Sequence, residues 1–215
     1  MIEAALFDFD GTLVDSERVK FIGWREALLS FGYILSEELF SSLVGEPRKA
    51  YLETFEKVFG VDPGELFRRR KEAEERILRD GRLEIMPYAR EALEFFIKKD
   101  IPVGVVTQSE KKEVLCKLGI VGLDDLELPL ICAEDVKKQK PDPEGYILAA
   151  ERSGVSTEKC ISFEDSGAGV KAAKGAGVIA VAVPNRYTQW QDFSGADFRF
   201  DNLEEAINCV RSNYF

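Results

Sequence analysis

In Ala4-Ala5-Leu6-Phe7-Asp8-Phe9-Asp10-Gly11-Thr12, an unbroken apolar run leads into two carboxylates and a Gly-Thr turn. A short apolar run bounded by a turn is the pattern of a strand buried on both faces. Such strands belong to parallel sheets covered by helices on both sides. Residues i and i+2 of an extended segment share a side, so the spacing predicts that Asp8 and Asp10 crowd each other. Like charges held that close are unfavourable unless a cation sits between them. Mg²⁺, which takes one or two carboxylates together with waters and phosphate oxygens, suits the pair. Taken alone, the pair leaves a second reading open: a solvated strand end that carries two acids.

Outward from this stretch, the chain changes pattern twice. From Ser16 to about Asp80 the periodicity is helical, with apolar stripes at Trp24, Ala27, Leu28 and Phe31 and at Leu52, Phe55, Val58 and Phe59. A strongly charged helix is expected over 67–78, where Arg68-Arg69-Arg70-Lys71 reads as a solvated face. Gly32, Gly45-Glu46-Pro47 and Gly60-Val61-Asp62-Pro63 punctuate these helices. From Pro87 the pattern predicts alternating elements: helix 89–99, strand 101–107, helix 111–118, strand 128–132, helix 143–153, strand 160–163, helix 169–176 and strand 178–183. Alternation of this kind implies right-handed βαβ crossovers. The expected class is α/β, a Rossmann-like parallel sheet with helices on both faces and an inserted helical unit. The expected division is a core of residues 1–15 and 87–215, interrupted by a helical bundle over 16–86.

Charge supports two units with different work. Residues 16–86 hold 13 Lys+Arg against 14 Asp+Glu, and the remainder holds 16 against 25, so the two parts carry −1 and −9 of the net −10. An acidic chain of this kind argues against nucleic acid or an anionic membrane as the main partner. The 215 residues contain no apolar stretch near the ~20 needed to span a bilayer. No basic region or apolar leader precedes Ile2-Glu3-Ala4, so a cytoplasmic protein is expected, as a monomer or weak homodimer. Cys116, Cys132, Cys160 and Cys209 are widely spaced, fit no zinc pattern and read as reduced thiols. Histidine is absent, which leaves carboxylates, Lys, Tyr and Cys for acid–base work.

In open parallel sheets, ligands bind outside the carboxyl ends of the strands. The polar clusters meet that test. The first strand ends in Asp8 and Asp10, the second in Thr107-Gln108-Ser109 and the fourth in Glu164-Asp165-Ser166. Lys140-Pro141-Asp142-Pro143 leads into the helix before the fourth. Carboxylates that hold a metal ion, with a hydroxyl and an ammonium for phosphoryl oxygens, describe a Mg²⁺–phosphate site. Gly167-Ala168-Gly169-Val170-Lys171-Ala172 matches a dinucleotide fingerprint. Glu164 and Asp165 would repel a pyrophosphate there, so the glycines read as close helix–strand packing instead.

These four motifs, in this order and over nearly the whole chain, resemble the haloacid dehalogenase-like hydrolase superfamily. The similarity is greatest to the branch with a helical cap after the first strand, the phosphoglycolate phosphatase-like and β-phosphoglucomutase-like enzymes. The resemblance implies a Mg²⁺-dependent phosphatase that acts on a small phosphorylated metabolite through an aspartyl-phosphate. It implies Asp8 as nucleophile and Asp10 as acid and base, with Asp8, Asp10, Glu164 and Asp165 around the metal, Asp10 through its backbone carbonyl as well. It implies Gly11, Thr107, Gln108 and Lys140 around the phosphate, Gln108 standing where the family usually has Asn. The helical cap would offer Ser16, Lys20 and Arg48 to the substrate, Arg48 gripping a second anionic group. β-Phosphoglucomutases carry His at the position of Lys20, so a mutase is the alternative, followed by a catalytically silent phosphate-binding protein. Dehalogenation needs neither the second acid nor the metal-binding acids.

Overall fold

The computed structural model describes residues 1–46 and 48–214, without the side chain of Arg48. The expected Arg48 contact therefore falls outside the described residues. In chain order the elements are β1 (Ala4–Phe7), α1 (Ser16–Leu29), α2 (Glu37–Ser41), α3 (Arg48–Phe59), α4 (Pro63–Arg79), α5 (Ala89–Ile97), β2 (Val103–Val106), α6 (Lys111–Val121), β3 (Leu130–Ile131), α7 (Glu144–Ser153), β4 (Cys160–Glu164), α8 (Gly167–Gly175), β5 (Ile179–Ala182), β6 (Phe198–Arg199) and α9 (Leu203–Tyr214). They form two compact units, Met1–Val14 with Ile85–Phe215, and Asp15–Glu84. Among the described residues no helix is long and apolar enough to cross a membrane.

The first unit is built on a parallel six-stranded sheet in the order β3-β2-β1-β4-β5-β6. This is the doubly wound order expected of the α/β class, and it reverses beside β1. Every residue of β1 is buried, because both faces of the sheet are covered. Ala4 and Leu6 pack with Tyr146 and Ala149 of α7 and with Val170 and Ala173 of α8. On the opposite face the Phe7 ring stacks on Phe163, its register partner in β4, at 4.6 Å, and meets the edge of Phe96 from α5 at 6.1 Å. Burying each such side chain contributes about 1.5–3 kcal/mol, which holds the end of β1 in place.

The differences from expectation lie at the edges. The strand expected over 128–132 shrinks to Leu130–Ile131, and β6 is equally short. Edge strands pair on one side only, and short ones offer little for another chain to join. The α9 pattern, with Leu203, Ala206, Ile207 and Val210 buried, is a readable amphipathic helix that lies beyond the last predicted element.

The second unit consists of α1 to α4. Trp24 stacks on Tyr51 at 5.7 Å and meets the edge of Phe55 at 5.1 Å. The inward face of α3 is therefore Tyr51 and Phe55; Val58, expected in that stripe, is 54% exposed. α4 starts earlier than the expected residue 67, since Asp62 Oδ1 accepts a hydrogen bond from Glu65 N at 2.7 Å and Pro63 occupies the first turn. Arg68 and Lys71 face solvent as expected. Arg70 does not: it is half-buried, lies over the Trp24 ring at 5.3 Å and pairs with Glu74 at 2.8 Å. Ser16 is buried in the first turn of α1, and Lys20 Nζ pairs with Glu17 Oε1 at 2.7 Å.

Candidate active site

β1 delivers Asp8 to the carboxyl end of the sheet, where its backbone N–H donates to Phe163 O at 2.9 Å. Lys140, in the loop before α7, donates from Nζ to Asp8 Oδ1 at 2.6 Å, to Glu164 Oε1 at 2.6 Å and to Val106 O at 2.8 Å. An ammonium has three donors, so these acceptors fix its position completely. Beneath it, the buried Tyr146 hydroxyl donates to Glu164 Oε1. Gln108 Nε2 donates to the Lys140 carbonyl at 2.8 Å and so steadies the loop that carries the lysine. The amide expected to face the phosphate is directed at backbone instead.

Asp165 is held from the other side. Asn185, just past β5, donates from Nδ2 to Asp165 Oδ2 at 2.7 Å and to Gly11 O at 3.3 Å. Asn185 Oδ1 accepts from Tyr187 N at 2.9 Å, which sets the orientation of the amide. Two glycines make room for the acids. A Cβ on Gly11, whose φ is +90°, would collide with the Asp165 carboxylate, and a Cβ on Gly169 would collide with that of Glu164. The second glycine of the apparent dinucleotide fingerprint, read from the sequence as close helix–strand packing, makes room for the carboxylate of Glu164 at the end of β4.

Asp8, Glu164 and Asp165 are all buried, and each offers an oxygen within 4.8 Å of the others. Burial pushes the Asp8 carboxyl up to about 7 against the pull of Lys140, and Glu164 adds to the rise. Burial also works against the charge of Lys140, but Asp8 and Glu164 hold it above the ordinary lysine value. Burial, then Glu164, raise Tyr146 well above its ordinary value, so it remains a donor. Three hard oxygen donors around one point, with Lys140 reaching two of them, fit a divalent cation such as Mg²⁺.

Asp10 departs from the expectation of a shared cation. Its Oδ1 accepts from Lys117 Nζ at 2.7 Å, and its Oδ2 from Ser109 Oγ at 2.6 Å and Thr107 Oγ1 at 3.4 Å. The carboxylate lies outside the acidic cluster because β1 has already ended at Phe7, and i, i+2 alternation does not extend into the loop. Thr107 Oγ1, expected on the phosphate, is here engaged with Asp10 and accepts from Ser109 N at 3.0 Å. Lys117, Tyr146 and Asn185 complete the cluster without appearing among the residues read as a site, and Ser109, read only as the end of the Thr107-Gln108-Ser109 motif, joins them. For Lys117 the signal is a lysine three residues after Val114, on the apolar face of α6. For Asn185 it is position, one more polar residue at a strand's carboxyl end. Ser16 and Lys20 belong to the helical unit, described above by itself.

Residues 5–183 match the family model described as haloacid dehalogenase-like hydrolase. The chain belongs to this family. It is 35% identical over 178 residues to a phosphorylated carbohydrates phosphatase of Thermotoga maritima, covering 82% of each chain. It is 32% identical over 182 residues to the fructose-1-phosphate phosphatase YqaB of Escherichia coli, covering 83% of this chain and 94% of that one. The crystal structure of CbbY from Rhodobacter sphaeroides in complex with phosphate superposes with a TM-score of 0.78 at 25% identity, over 95% and 96% of the two chains. The first two relatives are named as phosphatases, of phosphorylated carbohydrates and of fructose 1-phosphate, and the hydrolase membership read from the ordered motifs holds.

Proposed function

We propose that this hydrolase is a Mg²⁺-dependent phosphatase acting on a small phosphorylated carbohydrate through an aspartyl-phosphate. The observation that carries the reading is the buried Asp8 at the end of β1, tied to Lys140 and grouped with Glu164 and Asp165. Asp8, Glu164 and Asp165, with the backbone carbonyl of Asp10, would hold the metal. When bound, Mg²⁺ neutralises phosphoryl charge and fixes the direction of the transferred group.

In this reading an Asp8 carboxylate oxygen attacks phosphorus and the bond to the leaving oxygen breaks. Asp10 gives that oxygen a proton. Asp10, now ionised, takes a proton from water; the water oxygen attacks phosphorus, the Asp8–phosphorus bond breaks and phosphate departs. Lys140 and the backbone beside Gly11 offset the negative charge of the transferring group. Thr107 turns from Asp10 towards a phosphoryl oxygen when substrate is present. We assign substrate selection to the helical unit, with Ser16, Lys20 and Arg48 as its contacts. The relatives named for carbohydrate and fructose 1-phosphate phosphatase activity support a sugar phosphate as substrate.

The test is phosphate release from p-nitrophenyl phosphate and a panel of sugar phosphates, in EDTA and then with Mg²⁺ restored. Turnover that vanishes in chelator and returns with Mg²⁺ is expected. Full turnover in EDTA, or isomerisation of β-glucose 1-phosphate without phosphate release, would overturn it.

A further inference from the structure

Lys117 is a lysine where the fold asks for an apolar residue. It follows Val114 by one helical turn and precedes Leu118 on α6, and both neighbours are buried. Its own side chain is 1% exposed. A buried ammonium is unfavourable unless paired, and packing alone is better served by Met or Leu. Lys117 Nζ lies 2.7 Å from Asp10 Oδ1 and 2.5 Å from Glu113 Oε1, with the Phe9 ring centroid at 5.9 Å.

The arrangement concerns direction as well as charge. The terminal torsion of an aspartate is broad, so one donor does not set the plane of the carboxylate. Here Lys117 takes one oxygen, while Ser109 and Thr107 take the other. Ser109 and Thr107 sit in the loop after β2, and Lys117 comes from inside the core on the helix that follows. Glu113, one turn before Lys117, keeps the ammonium aimed along the same side of α6.

We propose that Lys117 is a positioning residue that fixes the Asp10 carboxylate from within the core before substrate arrives. The proposal rests on the reading of Asp10 as the acid–base group. An acid–base group must lie within hydrogen-bond reach of its proton, and a displacement near 1 Å is worth about 10²-fold in rate. Lys117 therefore acts on kcat through Asp10 and leaves substrate affinity alone.

The experiment is a double-mutant cycle in saturating Mg²⁺ with p-nitrophenyl phosphate, using wild type, Lys117→Met, Asp10→Asn and the double variant. Lys117→Met should lower kcat about tenfold or more and keep KM within about twofold. Lys117→Arg, which retains a cationic donor, should recover most of the lost kcat. In the Asp10→Asn background Lys117→Met should add no further loss. If Lys117→Met does not fold, Lys117→Gln takes its place in the same cycle. A full additional loss in the Asp10→Asn background would overturn the proposal, as would an unchanged kcat or failure of Arg to rescue. Asp10→Asn turning over like wild type sinks the reading of Asp10 itself. An impaired Asp10→Asn beside an unimpaired Lys117→Met sinks only the role of Lys117.

Discussion

Helix α4 and the carboxyl end of the core sheet are made of the same chemical parts and use them in opposite ways. On α4, Arg68 and Arg69 hold Glu65 at 2.6 and 2.8 Å, all three at least one-third exposed. These hydrogen bonds hold the Glu65 carboxyl down at about 2. At the sheet, Lys140 holds Asp8 at 2.6 Å, the side chains 7% and 11% exposed, and Asp8 rises to about 7. Water decides the difference. On α4, solvent already stabilises each charge and screens the pairs, so they contribute little to stability. At the sheet, desolvation outweighs the attraction of the lysine, and the protein retains a carboxylate that its own interior disfavours. Short distances between opposite charges are common to both places; only the buried set carries the raised carboxyl on which the proposed chemistry rests.

The comparison can be broken most sharply at Asp8. Asp8→Asn should reduce phosphate release by about 10⁴-fold or more with the circular dichroism spectrum unchanged, since it removes the proposed nucleophile. Near-normal release would return the buried set to the status of a structural ion pair. Next, Lys140→Met should lower kcat/KM by about 10²–10³-fold, the effect of losing one donor to the transferring group. An effect no larger than that of a surface substitution would show that the three hydrogen bonds of Lys140 serve packing alone. Asn185→Leu should weaken the apparent Mg²⁺ affinity by about 10–100-fold, because Asp165 loses the amide that orients it. Titration of activity against free Mg²⁺ measures this, and an unchanged midpoint would remove Asn185 from the metal's support.

A smaller effect tests the electrostatic half of the comparison. The folded Asp8 carboxyl keeps its proton up to about 7, whereas its ordinary value is 3.8. The unfolded chain therefore releases that proton first, and Asp8 opposes folding increasingly as pH rises from 3.8 towards 7. In EDTA, Asp8→Asn should raise Tm by several degrees at pH 8 and by much less at pH 5. An equal change at both pH values would show that burial does not govern Asp8. Smallest of all, Glu65→Gln should leave turnover unchanged and move Tm by no more than about 2 °C. A larger shift would mean that solvent does not screen the α4 pairs.

Periodicity made the layered fold legible, because each strand and helix states its own burial locally. The opening apolar run and the alternation after Pro87 together placed five strands, and the polar ends of three put Asp8, Thr107, Glu164 and Asp165 on one edge. β6, two residues long, carries too little pattern to read. The Arg68-Arg69-Arg70-Lys71 run shows the limit from the other side: charge predicts solvent, yet Arg70 packs on Trp24 because Trp24 offers a flat ring there.

The sequence by itself determined the α/β class, the strand-end position of the acids and the need for glycine beside them. These follow from residue type and short-range spacing. Only the tertiary structure decided which carboxylate each buried lysine meets. Lys140 and Asp8 are 132 residues apart, and Lys117 and Asp10 are 107 apart. Nothing in local spacing links such residues. Strand order and the depth of α6 bring them together, and burial then leaves each charge dependent on its partner.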